Sequence, residues 1–352
     1  MRSDKQKIMK IQQIRNATLK IQYGSFTILL DPWLQDKNAG PSFPAVKPER
    51  NGVRSPMDDL PLMPTEILSD VDFCLVTHIH PDHFTADYLP PNIPVLVQND
   101  VDKKLVADMG FRNVTAFTTP EIRMGNIVIT KVPARHGDTP EVMVRMGESS
   151  GYVLQSEGKT LYLAGDTVYF DGVEQVIETF RPDVIVLNCC EATTPIGRLI
   201  MGLADVEAVC RKVPNAAIVA THLDSVTHAR LSSDDVRAFA ARKNLTQIHV
   251  PTNGEWIMLM RNHLQTLSAS RLPAMPVRMT MAPVNAAMPP SSAETSMLMA
   301  VVTDFGKRVT YCMCSSFNTR ASTKTLPRLS SVPIVIPARI AAAFLRSRSS
   351  FS

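Results

Sequence analysis

The stretch Thr77-His78-Ile79-His80-Pro81-Asp82-His83-Phe84 constrains this chain more than any other. It follows an apolar run, residues 73–76, that has the length of a buried strand. Three histidines and an aspartate fall within six positions just past that run. Side chains two apart in an extended segment point the same way, so His78 and His80 can hold one cation together. Pro81 then turns the chain and aims Asp82 and His83 at a second point. Imidazole and carboxylate donors suit Zn(II), and also Mn(II) or Fe(II). Three of the chain's eight histidines lie in this one loop, which weighs against a chance polar turn.

Three later residues share one feature with that loop. His136, Asp166 and His222 each lie just past an apolar strand-like run, at 127–132, 160–163 and 216–220. Residues so placed converge on one rim of a sheet, where α/β sites form. Gly165 allows close backbone approach immediately before Asp166. His228 follows His222 by six residues. It is a candidate proton donor or substrate contact, or else a surface histidine ahead of a helix that starts near Ser232. Arg54, Arg135 and Arg198 are candidates for binding an anionic substrate. His249 and His263 are read as structural.

The order of elements sets the architecture. Strands come first in hairpins and then alternate with helices at about 101–109, 173–180, 205–213 and 232–243, the last capped by Ser232. That pattern predicts an α/β fold with helices on the outer faces of two sheets, a four-layer αββα sandwich. Residues 34–64 form a long Pro-rich connection ahead of the histidine loop and are expected to cover the site.

Composition enters at the ends. Residues 1–8 are charged and read as an extension, and 9–263 as the folded body. Beyond His263 there are ten basic and two acidic residues, a balance of +8 that leaves −4 on the first 263. Met, Pro, Ser and Arg dominate 264–352, which is expected to be a mostly disordered basic tail. A mildly acidic body gives no reason to expect nucleic acid. Of the six cysteines, Cys74, Cys189, Cys190 and Cys210 read as buried free thiols. No signal peptide or membrane span is legible, and a cytoplasmic, reducing location is expected.

The histidine loop resembles the H-x-H-x-D-H signature of the metallo-β-lactamase superfamily, and His136, Asp166 and His222 follow in that superfamily's order. Arg15-Asn16-Ala17-Thr18, Leu30-Asp31-Pro32, Ala164-Gly165-Asp166-Thr167 and Asn253-Gly254-Glu255 look like its branch of L-ascorbate-6-phosphate lactonase-like Zn-dependent hydrolases. The resemblance covers roughly 9–262 and implies the metallo-β-lactamase fold. It implies two divalent metal ions, Zn with Mn or Fe as alternatives. His78, His80 and His136 would hold the first, Asp82, His83 and His222 the second, and Asp166 both. It further implies a metal-bridging hydroxide that attacks a small ester, lactone or phosphoester, with Asp31 supporting the site. Asp82 is taken as catalytic as well as a ligand, and His228 is the candidate catalytic proton donor on its position alone. The alternative on the same fold is an iron-dependent, persulfide dioxygenase-like oxidoreductase, against which the complete second ligand set argues. A small-molecule substrate is the expected partner, and a homo-oligomer is left open.

Overall fold

The computed structural model describes residues 9–259, 264–267, 298–303 and 309–314. The chain divides into two compact units, Met1–Met275 and Pro276–Ser352. In the second, Leu298–Thr303 and Val309–Cys314 pair as an antiparallel hairpin.

The first unit is built on two mixed sheets. One has eight strands, in the order Leu264–Leu267, Trp256–Leu259, Met9–Arg15, Thr18–Tyr23, Phe26–Leu30, Phe73–Leu75, Val95–Val97 and Val114–Ala116. Its neighbours are antiparallel as far as Phe26–Leu30 and parallel beyond. The other has seven, in the order Ile248–His249, Ala217–Thr221, Val184–Asn188, Lys159–Leu163, Ser150–Ser156, Ile127–Pro133 and Glu121–Met124. Here the first four strands are parallel and the rest antiparallel.

Side-chain alternation makes the layers. Ile28 and Leu30 join Phe73, Leu75, Leu161, Leu163, Val184 and Val186 in the core between the sheets. Leu29 and Cys74 point the other way, against Ile67 and Val106 of the helices Pro64–Leu68 and Asp100–Asp108. Ile185 and Leu187 face Val173, Val206 and Val236 of Asp171–Phe180, Leu203–Lys212 and Ser233–Lys243. The four-layer αββα sandwich expected from element order is therefore the observed fold. Ser232 caps its helix, its Oγ accepting from Asp235 N at 3.2 Å. Two short helices were not legible in the sequence, Pro64–Leu68 and Pro140–Met146. Both begin on a proline, which is compatible with a first helical turn but reads as loop in a Pro-rich context.

Cys74, Cys189, Cys190 and Cys210 are buried free thiols. Among the described residues no helix is long and apolar enough to cross a membrane. Residues 1–8, and all of 264–352 save three strands, lie outside the described residues, and with them the expectations of an extension and a mostly disordered tail. Leu264–Leu267 pairs with Trp256–Leu259 and so continues the first sheet past residue 263.

We propose that the first unit folds by itself. A chain ending at Met275 is expected to remain soluble and to melt at the temperature of the full chain. One ending at His263 loses the strand Leu264–Leu267 and should melt lower. Aggregation of the Met275 form, seen by size-exclusion chromatography, contradicts the boundary.

Candidate metal centre

Strand ends build the site. Asp31, His78, His136, Asp166 and His222 each follow a strand closely, and Asn188 ends one. Gly165 holds φ +66°, and a Cβ there would stand 2.6 Å from Ser150 O, so the turn into Asp166 admits only glycine. Asp31 and His222 hold left-handed backbone, φ +42° and +60°, strain of the kind found at functional sites. Backbone bonds fix both: Asp31 N donates to Leu75 O at 2.9 Å, and His222 N to Asn16 O at 3.1 Å.

His78, His80 and His136 form one nest. His80 Nδ1 stands 2.9 Å from His78 Nε2 and 3.4 Å from His136 Nε2. The far nitrogens are committed outward. His80 Nε2 donates to Met146 O at 2.9 Å, and His136 Nδ1 to Leu199 O at 3.1 Å. His78 Nδ1 contacts Thr77 Oγ1 at 3.0 Å, and that hydroxyl donates to Asp31 Oδ2 at 2.8 Å. Carbonyl oxygens only accept, and the Thr77 proton is already used. In neutral rings the inward nitrogens therefore carry lone pairs.

Asp82, His83 and His222 form the second nest. His222 Nε2 stands 3.0 Å from His83 Nε2 and 3.4 Å from Asp82 Oδ2. Outward, His83 Nδ1 meets Asp31 Oδ2 at 2.8 Å and His222 Nδ1 meets Cys190 Sγ at 3.6 Å. Asp166 lies between the nests. Its Oδ1 is 3.3 Å from His83 Nε2, and its Oδ2 is 3.5 Å from His136 Nε2 and 3.9 Å from His222 Nε2. Asn188 Nδ2 donates to Asp166 Oδ1 at 2.7 Å.

All seven ligand candidates read from the sequence thus meet. Three overlapping trios, His78-His80-His136, His78-His83-Asp166 and Asp82-His83-His222, could each hold an ion. Lone pairs facing one another at such distances repel unless a proton or cation lies between them. The donor set, imidazole and carboxylate, fits Zn(II), Mn(II) or Fe(II).

Charge divides the nests. Burial lowers His78, as do the neighbouring His83 and His80, and burial lowers His136 against the pull of Asp166. Burial opposes protonation of His83, but Asp166 and Asp31 outweigh it and raise the ring to about 10. His222 is likewise raised, burial being overcome chiefly by Asp166. Asp82 and Asp166 are held far below the usual carboxylate range. Burial would raise both, but the His222 contact on Asp82 and the charges of His83 and His222 on Asp166 prevail.

Above the nests lies a cavity of about 260 Å³. Its floor includes His80, Asp82, His136, Asp166 and His228. Phe43 and Pro44 come from the 34–64 connection, which therefore does cover part of the site. Arg145 and Met146 come from Pro140–Met146, and Thr193, Thr194 and Pro195 from a small hairpin. Arg15 anchors the connection, donating to Trp33 O, Gln35 O and Asp58 O at 2.7–3.0 Å. His228 is inside the site, not on the surface. Its Nε2 is 3.6 Å from Asp82 Oδ2, and its ring meets Phe43 edge-on at 5.0 Å. Burial lowers it to about 4, against the pull of Asp82.

The three candidate arginines do not line the cavity. Arg54 donates to the Ala39 and Gly40 carbonyls, and Arg198 pairs with Asp205. Arg145, which the sequence reading passed over, does line it. Asn16, Thr77, Asn188 and Cys190 were also missed as individual contributors. Asn188 carried a usable signal, since it ends the apolar run Val184–Asn188 on the same rim.

The beta-lactamase superfamily domain matches residues 27–223. The UPF0173 protein YddR of Bacillus subtilis (strain 168) is 37% identical over 253 residues, spanning 70% of this chain and 98% of that protein. A solved structure from Veillonella parvula DSM 2008, described as "a possible metal-dependent hydrolase", is 33% identical with TM-score 0.68, covering 72% of this chain and all of that one. The isothiocyanate hydrolase from Delia radicum gut bacteria is 31% identical with TM-score 0.66, over 70% and 98% of the two chains. This chain belongs to the metallo-β-lactamase superfamily, in the UPF0173 family of metal-dependent hydrolases.

Proposed function

We propose that this metal-dependent hydrolase is dinuclear and acts on a small, uncharged carbon electrophile bearing an apolar substituent. His78, His80 and His136 hold one cation, Asp82, His83 and His222 the other, and Asp166 contacts both. Zinc is the favoured ion, with manganese or iron as alternatives. Such cations supply Lewis acidity, lowering the pKa of water and neutralising charge that develops on the substrate oxygen or sulfur.

The observation that carries this reading is the three overlapping trios of imidazole and carboxylate ligand atoms, of which His80, Asp82, His136 and Asp166 line a mainly apolar cavity. Phe43, Pro44, Met146, Ala192, Pro195 and Leu199 suit an apolar substituent. Arg145 is the one lysine or arginine among the lining residues, and it is exposed at the mouth. That balance favours an ester, a lactone or a heterocumulene over a phosphoester. The relative named an isothiocyanate hydrolase supports the heterocumulene. The lactonase-like motifs keep the strained ester carbonyl in the same class. Asn188 orients Asp166, and Asp82 orients the His228 ring. His228 Nε2 handles the proton at the departing atom, and Phe43 holds that ring in place.

Purified protein should contain two metals per chain by elemental analysis. Asp166→Ala should reduce both occupancies, while His83→Ala mainly empties the second nest. One metal per wild-type chain, unchanged by His83→Ala, rejects the dinuclear reading. In a panel of alkyl and aryl isothiocyanates, lactones and phosphodiesters, the neutral carbon substrates should have the higher kcat/KM. A preference for phosphodiesters rejects the substrate class.

His228→Ala should keep both metals and the fold but lower kcat by about 10²-fold or more. Wild-type kcat with full metal content removes His228 from the reaction.

A further inference from the structure

The outward partners of the five ligand imidazoles are unequal. Four of them are oxygens at 2.8–3.1 Å: Thr77 Oγ1, Met146 O, Asp31 Oδ2 and Leu199 O. The fifth, on His222, is the Cys190 thiol at 3.6 Å, and sulfur is a weak acceptor. Cys190 is fully buried and is not among the residues lining the cavity, so it does not meet substrate.

We infer that Cys190 is a positioning residue that sets how tightly the second nest holds its cation. The inference rests on the two-nest reading above. His222 Nε2 faces His83, Asp82 and Asp166, so its lone pair must stay on that side for it to serve as a ligand. Nδ1 then carries the proton, and Cys190 Sγ is its partner on that side of the ring. The same residue fixes the far end of the loop that His222 begins. Cys190 O accepts from Arg230 N and Leu231 N, both at 2.9 Å. One residue thus grips both ends of the segment that carries His222 and His228. His222 also holds left-handed backbone, a conformation that persists only where the surroundings fix it. Partners of this kind tune metal affinity by about 10–100-fold when removed. A thiol in place of an oxygen makes the second cation the more readily exchanged of the two.

Cys189 supplies the matched control. It is the preceding residue, is equally buried, and its Sγ donates to Thr221 O at 3.9 Å rather than to a ligand imidazole. Zinc-loaded wild type, Cys190→Ala, Cys190→Ser and Cys189→Ala would be dialysed anaerobically against a graded chelator series, with zinc per chain and circular dichroism read at each step. Wild type should lose its two equivalents at different chelator strengths. Cys190→Ala should lose the weaker one at about 10–100-fold lower chelator strength and keep the tighter one unchanged. Cys190→Ser, which places an oxygen acceptor there, should hold it more tightly than Cys190→Ala and at least as tightly as wild type. Cys189→Ala should match wild type.

Identical release curves for wild type and Cys190→Ala overturn the inference and leave the two-nest reading intact. Equal weakening in Cys190→Ala, Cys190→Ser and Cys189→Ala also overturns it, since that result reports packing alone. A single equivalent in wild type overturns the two-nest reading and this inference with it.

Discussion

The carboxylate of Asp31 is the point where the sheet and the metal nests meet. Its Oδ1 accepts from Thr77 N at 2.7 Å, and its Oδ2 accepts from Thr77 Oγ1 and His83 Nδ1, both at 2.8 Å. Through Thr77 it fixes the tautomer of His78, in the first nest. Directly, it fixes His83, in the second. Its own backbone is held by Leu75 O, and its carbonyl accepts from Thr18 Oγ1. The charge is buried, 1% exposed, and every bond it makes points at a residue that serves the site. Removing it would leave buried donors without partners, each costing about 1–3 kcal/mol.

The rest of the rim follows from that anchor. Asn16 Nδ2 reaches the Asp82 carbonyl, and Asn16 O accepts from His222 N, so the start of the first sheet grips both histidine loops. Facing lone pairs in the first nest, and left-handed backbone at Asp31, Asn16 and His222, are costs of assembly. A cation that binds the folded chain alone returns that free energy as stability, in proportion to its concentration over its dissociation constant.

Much of this was legible because it depends on spacing and position. Period-two spacing put His78 and His80 on one side. The strand-end rule found His136, Asp166 and His222, although they lie far apart in the chain. The cores of the strands and the four longer helices followed from apolar runs. What stayed hidden is contributed by segments that only the topology brings in. Met146 O comes from a short helix that begins at Pro140, and Leu199 O from beyond a small hairpin. Cys190 reads as an ordinary apolar residue until the sheet sets it against His222. The arginines show the converse. Arg54, Arg135 and Arg198 carry the right charge, but the fold turns Arg54 and Arg198 to neighbouring carbonyls and to Asp205, while Arg145 reaches the cavity mouth.

A crystal of the zinc-loaded protein, with anomalous data collected on either side of the zinc edge, tests the two-cation assignment most directly. The assignment predicts two peaks, one among His78, His80 and His136 and one among Asp82, His83 and His222, with Asp166 between them. A single peak, or zinc bound away from these residues, contradicts it.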